Sequence, residues 1–538
     1  MSLLDLVRRI ASTFPAKEIL AVPVVEHQIS RLAIEYLASR TPPRPRPLSL
    51  WSPLPMPPGP GQTLPITDYT SWPGLTDRTF SSRHLPPAEL AYTASLPANG
   101  SCDPQAGPPG PITSLFQRES GRMIPDRSSV LFMFFAQWFT DSFLRFNAND
   151  RRRNSSNHEI DLCQIYGLTE STATLLRSQT GGKLASQIIN GEEYPEYLYL
   201  RQPDGTLKVK EKFQGLPYIS SGLLDLILAQ QSNVDDARKA KLFATGLERG
   251  NSSIGYVAIS TLFLREHNRL CDALAGLQPH WNDERLFQTA RLINIALVLR
   301  IVIEDYINHI AGQRVFVFDN SFAESQNWYR TNWMAVEFDM LYRWHGLVPE
   351  TVNIKNQVYK PGDFQTNNDL LESVGLAALI EGASNETAGK IGLFNTPRFL
   401  IWAECQNITM GRSFRLRSFN EYRKQFSLAP LTDWDQLTSD VQVQTTLKGL
   451  YKDINKLEFV VGLFAEEAKS GGLFGELMTT MVAVDAFTQA LTNPVLSTHV
   501  FNSATLTTYG LEQIAATASL QDLVNRNVEG AAKAVFGV

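Results

Sequence analysis

Cysteine is scarce in this chain: Cys102, Cys163, Cys271 and Cys405 are scattered over 538 positions, with no two at CxxC spacing. That pattern offers neither a zinc site nor a disulfide framework, and a reduced compartment is the simpler expectation. Positive charge is not concentrated either. Lys and Arg number 49 against 54 Asp and Glu, a formal net charge of −5, and runs such as Arg151-Arg152-Arg153 are short and isolated. This excludes a nucleic-acid footprint and points to a small-molecule partner. No apolar run reaches the roughly 18 residues that a bilayer-spanning helix needs. An N-terminal apolar segment followed by a small-residue cleavage site is also missing. A protein that is soluble or attached to a membrane surface is expected, with the cytoplasm as its location. Strand signals are few, and no internal repeat is visible.

What remains is apolar and helical in pattern. At 43% hydrophobic and 19% charged, the chain can bury a large core. Residues 3–14 and 29–40 are amphipathic, with Leu, Ile and Val at helical spacing; they read as helices docked on the main body or as a membrane-surface element. Residues 41–61, TPPRPRPLSLWSPLPMPPGPG, carry too much proline for helix or central strand and read as an extended arm. From about residue 115 onward helix prevails. Residues 128–146 are apolar nearly all round, as in a core helix. Further helices are expected at 255–274, 284–312, 368–382, 396–405, 446–453, 472–491 and 508–527. The best strand candidate is RVFVFD, residues 314–319. The fold class is mainly α, with few short strands.

Within MAVEFDMLYRWHGLVPE, residues 334–350, Met334, Phe338, Leu341, Tyr342 and His345 fall on one face of a helix that Gly346 and Pro349 would close. A histidine in the last turn has two readings. It can simply favour the negative end of the helix dipole. Alternatively it is an axial ligand to haem iron, which would put the Tyr342 phenol one turn away at the haem edge.

Resemblance decides between them. LYRWHGLVP (341–349), LFLREHNRLCDAL (262–274), DERLFQTARLINIALVLRIVIEDYINHIAG (283–312) and FNEYRKQF (419–426) are similar to segments of the cyclooxygenase branch of the haem peroxidase–cyclooxygenase superfamily. The similarity runs in order from about Asp68 to Gly510. It implies a large haem-peroxidase-like helical domain over residues 67–538, preceded at 1–66 by N-terminal helices and the proline-rich arm. It also implies haem b as cofactor, with His345 as the proximal iron ligand, Tyr342 as the radical-bearing tyrosine and Tyr306 as its hydrogen-bonding neighbour. Phe338, Leu341 and Trp344 match channel and haem-side residues. Arg40 resembles the arginine that pairs with a fatty-acid carboxylate, a task suited to a guanidinium.

The departures from the family carry as much information. Gln137 keeps the distal glutamine, but Asp141 stands where the family has its distal histidine. A carboxyl with a pKa of about 3.9 accepts a proton less readily than an imidazole at about 6.5, so peroxidase activity is expected to be weak. Ala486 replaces a serine, Val482 a glycine and Gln313 a tyrosine of the channel, and the cysteine-rich growth-factor-like module is missing. A bulkier Val482 disfavours the folded chain that cyclisation needs. The resemblance therefore implies a dioxygenase that adds O₂ to an unsaturated fatty acid such as linoleate or oleate, similar to bacterial and fungal linoleate dioxygenases. α-Dioxygenation and prostaglandin-type cyclisation are the enzymatic alternatives. A non-catalytic haem or lipid carrier is the third, opposed by the retention of Tyr342, Tyr306 and Gln137. The sequence sets no oligomeric state and allows peripheral membrane contact.

Overall fold

In the computed structural model, which describes residues 23–39 and 77–538 apart from 104–106, 148, 230, 232–233, 332, 469–470 and 531–532, about 52% of the chain is helical. Only four two-stranded antiparallel ladders occur among the described residues, as the apolar spacing led us to expect. The first amphipathic piece, Arg40 and the proline-rich arm lie outside the described residues.

Helix α1, Pro23–Ser39, buries Ala33, Ile34, Leu37 and Ala38. Its Ser30 hydroxyl donates to the Val317 carbonyl (3.2 Å) and accepts the Val317 N–H (2.8 Å). Helix α2, Val130–Thr140, starts at Ser129, whose side chain accepts the Phe132 N–H. Every residue from Val130 to Phe139 is buried except Gln137. Burying each of its large apolar side chains is worth about 1.5–3 kcal/mol, so this helix organises the core. Around it lie α3 (Ile254–Leu277), capped by Ser253, and α4 (Asp283–Ile301), capped by Asn282 with Asp283 and Glu284 in its first turn. After Ile301 the chain makes a π-turn over Val302–Tyr306 and then Ile307–Ala311, ending at the left-handed Gly312. The span Asp283–Ala311 is long and apolar enough to cross a membrane, but 78% of its most apolar stretch is buried inside the protein; it is a core helix.

Further along come α5 (Val336–Leu341), α6 (Leu376–Asn385), α7 (Ile401–Ser413), α8 (Glu476–Leu491), α9 (Ser503–Ala515) and α10 (Leu520–Asn527). α1 packs on α8, α5 on α8, and α2 on α3 and α6. Two helices expected as single pieces are broken. The stretch 368–382 divides at Gly375. The stretch 508–527 divides because Ser519 and Asp522 form a capping box that starts α10 afresh.

Two expectations fail. RVFVFD is not a strand, because side chains satisfy its backbone: Asn308 Oδ1 accepts from Val315 and Phe316, Ser30 holds Val317, and Glu304 Oε1 accepts from Phe318. The cysteines are not all reduced either. Cys102 and Cys405 form a disulfide across 303 residues, while Cys163 and Cys271 are free and buried. The spacing that ruled out a framework says nothing about partners so far apart, and the cysteines no longer argue for a reducing compartment.

One buried acid makes stability pH-dependent. Burial pushes the Glu159 carboxyl up to about 8 despite Arg78 at 3.7 Å. Between its ordinary range of about 4.3 and that value, the folded state holds a proton that the unfolded state has released, so stability falls as pH rises. Glu159→Gln should flatten this slope, read from urea unfolding midpoints at about pH 5 and about pH 8.

Candidate functional site

The segment expected to carry Tyr342 and His345 on one helical face does not remain helical. α5 ends at Leu341, Tyr342 follows with φ −83° and ψ 21°, and His345–Leu347 forms a separate 3₁₀ turn. Competing bonds stop the helix. The His345 N–H turns back to the Arg343 carbonyl (2.9 Å). The Arg118 guanidinium donates to the carbonyls of Gly346 (3.3 Å) and Val348 (2.5 Å). A Cβ on Gly346 would lie 2.7 Å from the Lys390 carbonyl, and one on Gly389 would lie 2.1 Å from the Gly346 carbonyl, so two backbones pass here closer than side chains permit. The start of α5 is equally fixed: Glu337, fully buried, accepts from the His84 N–H (3.1 Å) and the Tyr422 hydroxyl (2.9 Å).

His345 is 23% exposed, and its Nδ1 lies 3.0 Å from Oε1 of Glu404, which is 2% exposed. That leaves Nε2 as the outward face of the ring, without a hydrogen bond to any described residue. Trp344 stacks on Tyr342 at 4.3 Å and tilts against Phe474 at 4.7 Å. The Tyr342 ring also meets the Phe338 edge at 5.1 Å. The Tyr306 and Tyr342 hydroxyls face one another without the alignment of a formed hydrogen bond. Burial pushes both phenols well above the usual tyrosine range; the neighbouring phenol adds to this at Tyr306 and opposes it at Tyr342. Tyr306 is packed by Phe132, Phe135, Phe139 and Phe536. Both tyrosines are therefore held neutral in an aromatic layer, and the π-turn places Tyr306 there.

On α2, Gln137 is the exposed residue of an otherwise buried helix, 3.4 Å from the Ser253 hydroxyl. Asp141, 6% exposed, is tied into a cluster. Its Oδ2 accepts from the Tyr256 hydroxyl (2.8 Å) and pairs with Arg145 (3.2 Å), and Oδ1 is 3.8 Å from Arg249. Arg145 in turn binds Glu248 at 2.6 Å. Burial disfavours the Arg145 charge, but Asp141 and Glu248 more than offset it and raise its pKa. The carboxylate is thus surrounded by cations.

Phe338, Leu341 and Val482 are buried and Ala486 is partly buried, on two helices, α5 and α8, that pack together. Gln313 is exposed just beyond Gly312. Arg40, the expected carboxylate partner, lies outside the described residues. Sequence reading missed Glu404, Tyr256, and the buried pair His84–Asp485 at 3.1 Å, one position before Ala486. Only Asp141–Arg145, four residues apart along the chain, carried a visible signal.

A model of the animal haem peroxidase family matches residues 127–536. The chain is 33% identical over 481 residues to prostaglandin G/H synthase 2 of Cavia porcellus, which spans 87% of this chain and 74% of that protein. It is 32% identical over 480 residues to prostaglandin G/H synthase 1 of Rattus norvegicus, with 86% and 73% covered. Among solved structures it is similar to the fatty acid alpha-dioxygenase of Oryza sativa, with a TM-score of 0.68, 17% identity, and 97% and 95% of the two chains covered. It is similar also to peroxidase A of Dictyostelium discoideum, with a TM-score of 0.62, 19% identity, and 85% and 96% covered; at these identities the likeness concerns the fold. The chain belongs to the animal haem peroxidase family, and haem is its cofactor. The residues present fit that group: an imidazole with Nδ1 turned to a buried carboxylate and Nε2 outward, and an exposed glutamine on an otherwise buried helix.

The Asp141 cluster makes a specific demand on stability. Arg145→Met strands the Asp141 and Glu248 carboxylates and should cost about 3–5 kcal/mol, measured by urea unfolding. Adding Glu248→Gln to that variant should recover part of the loss.

Proposed function

We propose that this protein is a fatty-acid dioxygenase that uses Tyr342 to abstract hydrogen from an unsaturated acid such as linoleate or oleate and releases a hydroperoxide. The observation that carries the reading is the Tyr342–Tyr306 pair, sequestered among aromatic rings three residues before a histidine with an outward Nε2. A carrier has no use for two buried phenols facing one another.

Haem held by His345, with Trp344 and Gln137 beside it, would supply the one-electron oxidation that makes Tyr342 a phenoxyl radical. The phenoxyl takes a hydrogen atom from an allylic or bisallylic carbon, becoming a phenol and leaving a carbon radical. O₂ adds to that carbon. The resulting peroxyl takes the hydrogen back from Tyr342, so the net change is R–H plus O₂ to R–OOH and the phenoxyl is regenerated. Tyr306, unable to ionise in its dry layer, is placed to steady the Tyr342 oxygen by hydrogen bonding in both states. Phe338, Leu341, Val482 and Ala486 would line the path of the chain, with Gln313 near its mouth and Arg40 as the carboxylate partner. Val482 in place of glycine supports linear oxygenation over cyclisation.

Asp141 explains the accumulation of hydroperoxide in this scheme. Its oxygens are already engaged by Tyr256, Arg145 and Arg249, so position 141 does not present the free acceptor that an imidazole would offer a bound hydroperoxide. A cytoplasmic or peripheral membrane location belongs to the same proposal, without the support that reduced cysteines would have lent it.

Tyr342→Phe should retain the Soret band and lose O₂ uptake with linoleate in an oxygen electrode; wild-type turnover would remove the radical mechanism. Asp141→His should raise guaiacol peroxidase turnover, because Arg145 and Arg249 would hold the new imidazole in its neutral, proton-accepting form. An unchanged rate would mean that position 141 does not face the bound hydroperoxide. Mass spectrometry of the products from a panel of fatty acids would then fix substrate and regiochemistry.

A further inference from the structure

Glu404 has no place in the scheme above, yet it is the acidic group that meets His345. Its side chain is almost fully buried, and among the described residues its ion-pairing contact is with His345 Nδ1 at 3.0 Å. The same oxygen, Oε1, accepts the Thr396 hydroxyl at 2.7 Å. Thr396 is itself fixed at both ends of its peptide, its N–H on the Phe116 carbonyl (2.7 Å) and its carbonyl on the Arg118 N–H (3.0 Å). Burying a carboxylate with one hydroxyl and one imidazole for company is costly unless the imidazole N–H is directed at it.

The helix that carries Glu404 is also anchored. Cys405, the next residue, is joined to Cys102, and the Asn99 amide donates to the Cys405 carbonyl (3.1 Å) and the Thr409 hydroxyl (3.1 Å). At the far end, Arg412 makes a two-pronged contact with Glu458. The first turn of α7 therefore cannot drift from the 3₁₀ turn of His345.

We propose that Glu404 is a positioning residue for the haem site: its carboxylate accepts the Nδ1–H of His345, fixes the tautomer that leaves the Nε2 lone pair free for an iron, and makes the imidazole a stronger donor. This rests on His345 being the iron ligand. The two atoms are within hydrogen-bond distance, with the N–H not aligned on the oxygen. Polarising a ligand histidine through its second nitrogen strengthens the metal bond and favours the ferric state.

The test uses the haem-loaded protein and reads the iron, not turnover. In Glu404→Gln, which keeps the shape and removes the charge, the ferrous iron–histidine stretch in resonance Raman should move to lower frequency and the ferric/ferrous midpoint potential should rise, with haem content retained. Glu404→Leu should move both further in the same direction. Unchanged stretch and potential in both variants would overturn the proposal. So would a shift seen only in Asn407→Leu, since Asn407 lies one turn along α7 with both side-chain polar atoms buried and unpartnered. His345→Gly tests the underlying reading separately. Loss of the stretch supports His345 as ligand; its persistence removes the ligand assignment, whatever Glu404 does.

Discussion

The arrangement of this site depends on one close approach of backbone to backbone. Where the chain leaves α5, Gly346 passes against Lys390, and Gly389 against the Gly346 carbonyl, at separations that leave no room for a Cβ. Arg118 then holds the carbonyls on the far side of that crossing, and Asn395 ties Lys390 to Ile124 by accepting the Ile124 N–H and donating to the carbonyls of both residues. Such contacts break a helix that apolar spacing alone would have continued. They separate Tyr342 from His345 in orientation as well as sequence. The phenol stays with the rings of Phe338, Trp344 and Tyr306, while the imidazole turns toward α7.

The two sides of the site are built on opposite electrostatic plans. Around Tyr342 and Tyr306 the described residues supply aromatic rings, a medium in which a phenol keeps its proton. Around Asp141 it supplies two guanidinium groups, a second carboxylate and a tyrosine hydroxyl. A charge buried in such company is stable because every partner is present. One side of the site is thus an aromatic layer and the other a cluster of paired ions.

Much of this was legible in the sequence, and the boundary of legibility has physical causes. The core helices showed because apolar residues at spacings of three and four need only local information. Ser253 and Asn282 begin helices where such caps belong. Tyr342, His345 and Tyr306 were recognisable through the segments around them, not through spacing, which favoured an ordinary helix-end histidine. What could not be read depends on contacts between distant residues: Cys102 with Cys405, Glu404 with His345, Tyr256 with Asp141. RVFVFD misled for the same reason. Its alternation suits a strand, but Asn308, Ser30 and Glu304 take the hydrogen bonds a neighbouring strand would have made.

The disulfide joins these arguments. Among the described residues α7 packs chiefly on the short helices Phe459–Ala465 and Pro111–Ser114, and its own amphipathic pattern is weak. A covalent link from Cys405 to the loop at Cys102, reinforced by Asn99, fixes the turn that precedes Thr409 and includes Glu404. Position matters more here than strength. An acceptor for a histidine N–H works over a few tenths of an ångström, whereas a weakly amphipathic surface helix can shift by more than that at little cost. A helix required to present one carboxylate to one imidazole therefore gains from an anchor adjacent to that carboxylate, and Cys405 stands one residue away.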